Sequence, residues 1–348
     1  MRDSHDKAIA VFIISLLRMK GVGPKTVGSF LDYERARIES SSRLDANFIE
    51  SLGPSASSKA GAIVRALRKS EMTWEELEAA AFDTLELAEE RGIHVLHPFM
   101  SSYPRRLIRN QAHPPILYCR GALESLDSDK AVAIVGTRHP TEFGCRMARR
   151  LAQVLSEDGY VVISGLAVGS DTAGHSGALD AGGRTVAVLP TPVDSAVYPR
   201  QNQELANRIL ENGGALVSEY TPGVGLNDRQ LISNLVARDE WQPALSDGIV
   251  AVETSVDGGT RHAMEHALRT GVPAAVFDYS SREHVDFYND PRFGGNVEYL
   301  KMLDKVSPIF GPHTIEVFKA RMDEYRSRGD ADGAALPQTL EDTPRLFE

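Results

Sequence analysis

The chain has 348 residues, 42% hydrophobic and 25% charged, with a formal net charge of −10 and two cysteines. That composition supports a packed core and argues against a disordered chain, and no apolar run reaches the ~18 residues of a membrane span. Cys119 and Cys145 lie far apart and form no CxxC pair, which argues against a disulfide framework or a structural zinc site and points to a reducing, cytoplasmic setting.

Charge is unevenly spread. Residues 1–70 hold 12 Lys and Arg against 7 Asp and Glu, so the remaining chain carries a net −15. The apolar stretch Ala8–Leu17 runs directly into Arg18 and Lys20 with no small-residue cleavage site, so no secretory leader is expected. Residues 1–75 read as a helical domain. Two helical patterns flank Gly21-Val22-Gly23-Pro24-Lys25-Thr26, as in a helix-hairpin-helix of the SAM-like kind. Glycines there permit close backbone approach to a phosphate at a helix N-terminus, which makes Lys25 a candidate DNA contact, with a plain helix turn as the alternative. Ser51–Ser58 reads as a loop.

Residues 76–127 read as a connecting extension, with a helix from Trp74 to Arg91 and a strand after Gly92. From 128 to 310, short apolar runs alternate with helix-length segments. The runs are Ala131–Val135, Tyr160–Ile163, Thr185–Leu189, Ala215–Ser218, Gly248–Glu253 and Pro273–Phe277. Continuously apolar strands between helices predict an α/β, Rossmann-like, mostly parallel doubly wound sheet. Residues 311–348 are expected to hold a C-terminal helix and a disordered tail, the polar character starting at Met322, with a tip at Pro344–Glu348.

Two glycine turns follow strands. Gly136-Thr137-Arg138 precedes a helix beginning near Thr141, a strand–turn–helix anion cradle to which Arg138 adds a cation. It is not a GxGxxG dinucleotide fingerprint. Ser164-Gly165-Leu-Ala-Val-Gly169-Ser170-Asp171 forms the second turn. Asp171 and His175 are four apart, which suits a carboxylate orienting an imidazole for polar recognition of a base or sugar, although the residues alone favour a capping Asp171 and a structural His175. A third glycine loop, Asp257-Gly-Gly259-Thr260, precedes a helix reaching Arg269, with Thr260 expected to cap it and contact a phosphate. Within that helix His262-Ala-Met-Glu265-His266 fits HxxEH, but its place in a crossover helix makes a solvated face the better reading, and no metal or cofactor is expected.

The motif series from Ala131 to Glu219 is similar to that of the DNA-processing protein A (DprA/Smf) family. Ala131-Val-Ala-Ile-Val-Gly-Thr-Arg138 resembles VAIVGSR, and Val161–Asp171 resembles VVSGLARGID. Ala173–Ala178 resembles AHxGAL, and Ala181–Leu189 resembles AGGxTIAVL. Val193-Asp194, Tyr198-Pro199 and Asn202 resemble LDxxYPxxN, and Gly214–Glu219 resembles GxLLSE. The resemblance implies a Rossmann-like fold that binds single-stranded DNA, loads a RecA-type recombinase and forms a homodimer. It makes Gly136, Thr137, Arg138, Ser164, Gly165, Gly169, Gly259 and Thr260 phosphate-binding candidates, with Arg238 at the rim and Asp171, His175, Asn202 and Glu219 for polar recognition.

Departures are equally specific. The family's basic FPxRNR stretch reads Leu235-Val-Ala-Arg238-Asp239-Glu240, and the arginine of GLARGID is Val168. The chain is expected to lack the winged helix often found at the C-terminus of the family. The acidic replacements, the resemblance of the Asp257–Thr260 loop to the lonely-guy nucleotide hydrolases, and Glu219 and Glu253 at strand ends support a second reading, a small-nucleotide sensor or phosphoribohydrolase. A non-catalytic DNA-binding protein is the leading one. Trp74 and Trp241 are expected in core or interface rather than as base-stacking platforms.

Overall fold

The computed structural model describes residues 2–52, 59–110, 114–282 and 285–332, with side chains left undescribed for residues 2, 3, 59 and 329–332. Nine strands form one sheet: β1 (Ile93–Leu96), β2 (Leu117–Gly121), β3 (Ala131–Val135), β4 (Val161–Ser164), β5 (Thr185–Val188), β6 (Ala215–Ser218), β7 (Ile249–Ala251), β8 (Ala274–Phe277) and β9 (Val306–Ile309). Their spatial order is β1-β2-β6-β5-β4-β3-β7-β8-β9. The seven from β6 to β9 run parallel, and β2 and β1 extend one edge antiparallel. The expected doubly wound α/β sheet is therefore present. The pairing of β2 against β6 and the outer strand β9 extend it beyond the strands that the apolar runs mark.

Every residue of β3, β4, β5, β6, β7 and β8 is buried, because helices cover both faces. Alternate residues divide between the layers. Ala131, Ala133 and Val135 face a core with Met264 and Ala267 of the Thr260–Thr270 helix. Val132 and Ile134 face a core with Leu151 and Leu155 of the Glu142–Glu157 helix and Phe318 and Met322 of the Pro312–Asp332 helix. Met322 is fully buried, so the polar composition after it does not end the order of the chain there; the helix runs on to Asp332. The rest of the expected tail, residues 333–348 with the Pro344–Glu348 tip, lies outside the described residues.

The N-terminal helices share a core with the β1–β2–β6–β5 end of the sheet, where Phe12, Phe30 and Trp74 meet Tyr118, Leu216 and Ile209. Trp74 packs on Phe12 with ring centroids 5.8 Å apart. Helices Arg2–Arg18 and Pro24–Tyr33 flank the glycine turn as expected, and Gly21 needs its positive φ of 83° to make it. No described helix is long and apolar enough to cross a membrane.

At the amino ends of the strands, Arg106 donates bidentately to buried Asp247 at 2.9 and 2.8 Å, and Arg109 joins at 3.0 Å. The Ala131 N–H also donates to Asp247. Burial alone would raise the pKa of this carboxyl, but the hydrogen bonds from Arg106, Ala131 and Arg109 and the Arg106 charge together hold it below its usual range. The cluster fixes the extension to the start of β3.

Candidate functional site

The strand order reverses between β3 and β7, since β4, β5 and β6 lie to one side and β8 and β9 to the other. Loops leaving the carboxyl ends of β3 and β7 must diverge there, and the crevice between them is where open α/β sheets bind ligands. A cleft of about 420 Å³ opens at that point. Gly136, Thr137, Arg138 and His139 line it from the β3 loop, and Thr254, Ser255, Gly258, Gly259 and Thr260 from the β7 loop. Ala167 and Asp171 line it from the β4 side, and Arg238, Asp239 and Gln242 from the segment before β7. A smaller cleft of about 100 Å³ shares Arg138, Ala167 and Arg238 and adds Val168, Tyr198, Pro199, Gln201 and Leu235.

The loops are fixed by their own backbone. The Thr137 N–H donates to the Glu253 carbonyl at 2.7 Å, and the Thr137 carbonyl accepts from the Ser170 N–H and Oγ. Gly136 is required because a Cβ there would lie 2.4 Å from Ser170 Oγ. At Gly169, with φ of +83°, a Cβ would lie 2.6 Å from the Arg138 carbonyl oxygen. Leu166, buried, holds a φ of 60° that non-glycine residues rarely adopt. The surroundings hold it there: its carbonyl accepts from Asn202 Nδ2 at 2.8 Å, and Asp171 Oδ2 accepts from the flanking Gly165 and Ala167 N–H groups at 3.2 Å. The Thr260–Thr270 helix begins on Gly259 with no side-chain cap; the Arg261 and His262 N–H groups donate to the Gly258 and Gly259 carbonyls, and the positive end of the helix dipole lies at the cleft that Gly259 and Thr260 line.

Of the residues singled out by sequence, Gly136, Thr137, Arg138, Asp171, Arg238, Gly259 and Thr260 line the main cleft. The others serve the scaffold or lie elsewhere. Ser164 is buried and its Oγ donates to the Ile134 carbonyl. Gly165 leaves room for the guanidinium of Arg238, which a Cβ would meet at 2.3 Å, and Gly169 makes the turn described above. Asn202 holds the Leu166 carbonyl and Thr172 Oγ1. Glu219 accepts from the Trp241 indole at 3.2 Å, and burial raises its pKa, opposed by that bond. Lys25 is exposed in the first turn of the second helix, outside both clefts.

Four expectations need correction. Arg238 is not at the rim: only 4% exposed, it donates to the Gly165 carbonyl and, at 3.1 Å, to the Val188 carbonyl. His175 is not oriented by Asp171; its Nδ1 meets Thr185 Oγ1 at 2.7 Å in the interior, and burial pushes its pKa down to about 3. Thr260 does not cap its helix, because Gly259 holds that position and Thr260 is the first helical residue. Glu253 does not face a ribose. Fully buried, it accepts from Thr141 N–H at 2.8 Å and Thr141 Oγ1 at 2.6 Å, behind the β3 loop. Trp241 lies as expected, packed on the core with its indole N–H donating to Glu219. In the HxxEH segment, Glu265 pairs with Arg261 at 3.2 Å, and among the described residues no group of three or more acidic, His or Cys side chains is placed to hold a metal.

Sequence reasoning missed His139, Gln242, Thr254 and Ser255. The topological signal was available: loops after the two strands flanking the reversal must face each other. Asp239 was seen only as an acidic replacement of the family's Asn. It lies beside Arg238, with its Oδ1 3.3 Å from Arg238 Nε and accepting from Gln242 Nε2 at 3.2 Å. Burial pushes its pKa up to about 6, with Arg238 acting against that rise and buried Asp171 adding to it. Asp171 is raised by burial as well.

Comparison with known proteins agrees with this architecture. The sequence profile of the DNA recombination-mediator protein A family matches residues 94–286. Protein Smf of Synechocystis is 35% identical over 189 residues, 53% of this chain and 46% of that protein. DNA processing protein DprA of Bacillus subtilis is 29% identical over 194 residues, 54% of this chain and 63% of that protein. The matched region thus spans about half the length of these relatives. The X-ray structure of DNA processing protein A from Streptococcus pneumoniae superposes with a TM-score of 0.68 at 21% identity, over 88% of this chain and 97% of that one. The structure of the Helicobacter pylori protein, concerned with its single-stranded DNA binding mode, superposes with a TM-score of 0.53 at 25% identity, over 67% of this chain and 97% of that one. With its motif series, its switch-point cleft and a profile match over more than half its length, the chain belongs to the DNA recombination-mediator protein A family.

Proposed function

We propose that this protein binds single-stranded DNA in the switch-point cleft and acts in DNA recombination or uptake. The observation that carries the reading is the convergence of two glycine loops, Gly136–Arg138 and Gly258–Thr260, on one crevice beside an uncapped helix N-terminus. Backbone N–H groups and one exposed arginine suit phosphates and carry no sequence information, as binding of an arbitrary strand requires. The relationship to the H. pylori protein supports DNA as the ligand. Loading of a RecA-type recombinase, action as a homodimer and a cytoplasmic location belong to the same proposal. Catalysis is not part of it: Glu253 and Glu219, the carboxylates suggested for a nucleotide hydrolase, are engaged by Thr141 and Trp241.

Competition separates this reading from small-nucleotide binding. A labelled oligonucleotide bound at low salt is challenged with unlabelled oligonucleotide and with nucleoside mono- and diphosphates. Displacement only by oligonucleotide is expected. Displacement by a mononucleotide at micromolar concentration, or no oligonucleotide binding at all, would sink the proposal.

A further inference from the structure

The helix Asp228–Asp239 is unusual in burying a single residue, Arg238. Its underside is anchored by that guanidinium and by Asn234, whose Nδ2 donates to the Pro190 carbonyl at 3.0 Å. On another face, residues three and four apart line up: Ile232, Leu235, Val236 and Asp239. Leu235 lines the smaller cleft and Asp239 the larger, so this face continues the walls of both. Ile232 and Val236 carry it into solvent, 65% and 45% exposed.

Aliphatic residues spaced this way on a helix ordinarily face a core. Here they lie beside a cleft whose opposite wall is built for phosphates. Asp239 and Glu240 make the helix's C-terminal end repel phosphates, although Glu240 lies 4.0 Å from Arg269 and Asp239 beside Arg238. A single strand has two sides, one of phosphates and one of base faces. The wall that refuses the first and offers aliphatic surface suits the second.

We infer that the Asp228–Asp239 helix is the base-side wall of the nucleic-acid site, where Ile232, Leu235 and Val236 pack against unpaired bases of a strand whose phosphates lie along the Gly136–Arg138 and Gly258–Thr260 loops. This rests on the single-strand reading of the cleft. The acidic residues at 239 and 240, in place of the family's Asn and Arg, are then a division of labour between walls rather than a loss of binding. A second copy of the chain is the poorer occupant, because a stable dimer buries ~800 Å² per partner and this face offers only a few partly exposed aliphatic side chains. Duplex DNA is poorer still, since its bases are already stacked.

The test uses the whole chain and a fluorescent 12-nucleotide strand, either intact or with central abasic sites, in anisotropy titrations over a salt series. For Ile232→Gln/Val236→Gln, which keeps helix-forming residues at exposed positions, affinity for the intact strand is expected to fall ~5- to 20-fold. Affinity for the abasic strand should change less than twofold, with the salt slope unchanged because phosphate contacts are elsewhere. Ile232→Trp, which adds a ring, should tighten the intact strand only. Equal losses on both strands, or no loss on either, would overturn the inference while leaving the proposed function standing. So would a shift in sedimentation of the double variant away from the wild-type assembly, which would assign the face to protein contact. Failure of the wild type to bind any single strand would instead remove the proposed function, and this inference with it.

Discussion

Replacing Arg238 by methionine separates a scaffold arginine from a phosphate ligand. In the structure its guanidinium is 4% exposed, donates to the Gly165 and Val188 carbonyls, and lies beside Asp239. It also lowers the pKa of Asp171, which burial raises. Methionine keeps much of the length but leaves two buried carbonyls without a donor and two carboxylates without their cation. Removing one partner from a buried ionic network costs ~3–5 kcal/mol. A chain of this size has an unfolding entropy of ~0.7 kcal/mol per kelvin near 60 °C, so Tm should fall by ~4–7 °C. The deficit should shrink in acid. Asp171 and Asp239 already have raised folded pKa values, and losing Arg238 raises them further. Raised carboxyls destabilise the fold above their folded pKa and stop doing so once protonated, so the Tm gap should be larger at pH 8 than at pH 5.5. Scanning calorimetry of both proteins at both pH values measures this. An unchanged Tm with a large loss of oligonucleotide affinity would refute the reasoning and return Arg238 to the rim.

Other outcomes follow from the same geometry. Gly169→Ala forces a non-glycine residue to a φ of +83° and a Cβ toward the Arg138 carbonyl. It should cost ~1–2 kcal/mol, or ~1–3 °C by thermal melt, and weaken oligonucleotide binding by displacing the loop. Asp239 carries a pKa of about 6 within the cleft, so wild-type affinity for a single strand should rise as pH falls from 7.5 through 6. Asp239→Asn should flatten that profile and tighten binding at pH 7.5 by ~5-fold, on the order of 1 kcal/mol for one like-charge contact. Overall stability should move the other way. Burial lowers His175 to about 3 and His97 and His266 to about 4. Their folded pKa values lie below the unfolded one, so their contribution is present above pH 6.5 and is lost as pH falls. At ~2 kcal/mol for each histidine at pH 5, this loss is set against the relief at the raised carboxyls Asp171, Glu219 and Asp239, and denaturant midpoints should drop between pH 7 and 5.

The sheet was legible because strands buried on both faces must be continuously apolar, and Ala131–Val135 and Ala215–Ser218 are. β9, Val306–Ile309, was not, because Ser307 and Pro308 interrupt its run. The phosphate side of the cleft was also legible, since glycine turns after strands have few other uses. What sequence could not supply was direction. Arg238 occupies a basic motif, and nothing in its spacing says that the guanidinium turns inward to satisfy carbonyls left by the Gly165 and Val188 backbone. His175 and Asn202 likewise look like ligand-facing polar groups until Thr185 and the Leu166 carbonyl appear as their partners. Met322 failed for a different reason: local polarity outvoted one buried apolar residue that packs beneath the sheet.

In the proposed function the exposed Arg138 and its glycine loop hold phosphates in the switch-point cleft. The direct measurement is the affinity of a labelled single strand for wild type and Arg138→Ala across a salt series, with melting curves for both. Equal Tm values are expected, because Arg138 is exposed, together with weaker binding and a salt slope smaller by ~0.7 for one lost phosphate contact on a single strand. Identical affinity and slope for the two proteins would contradict it.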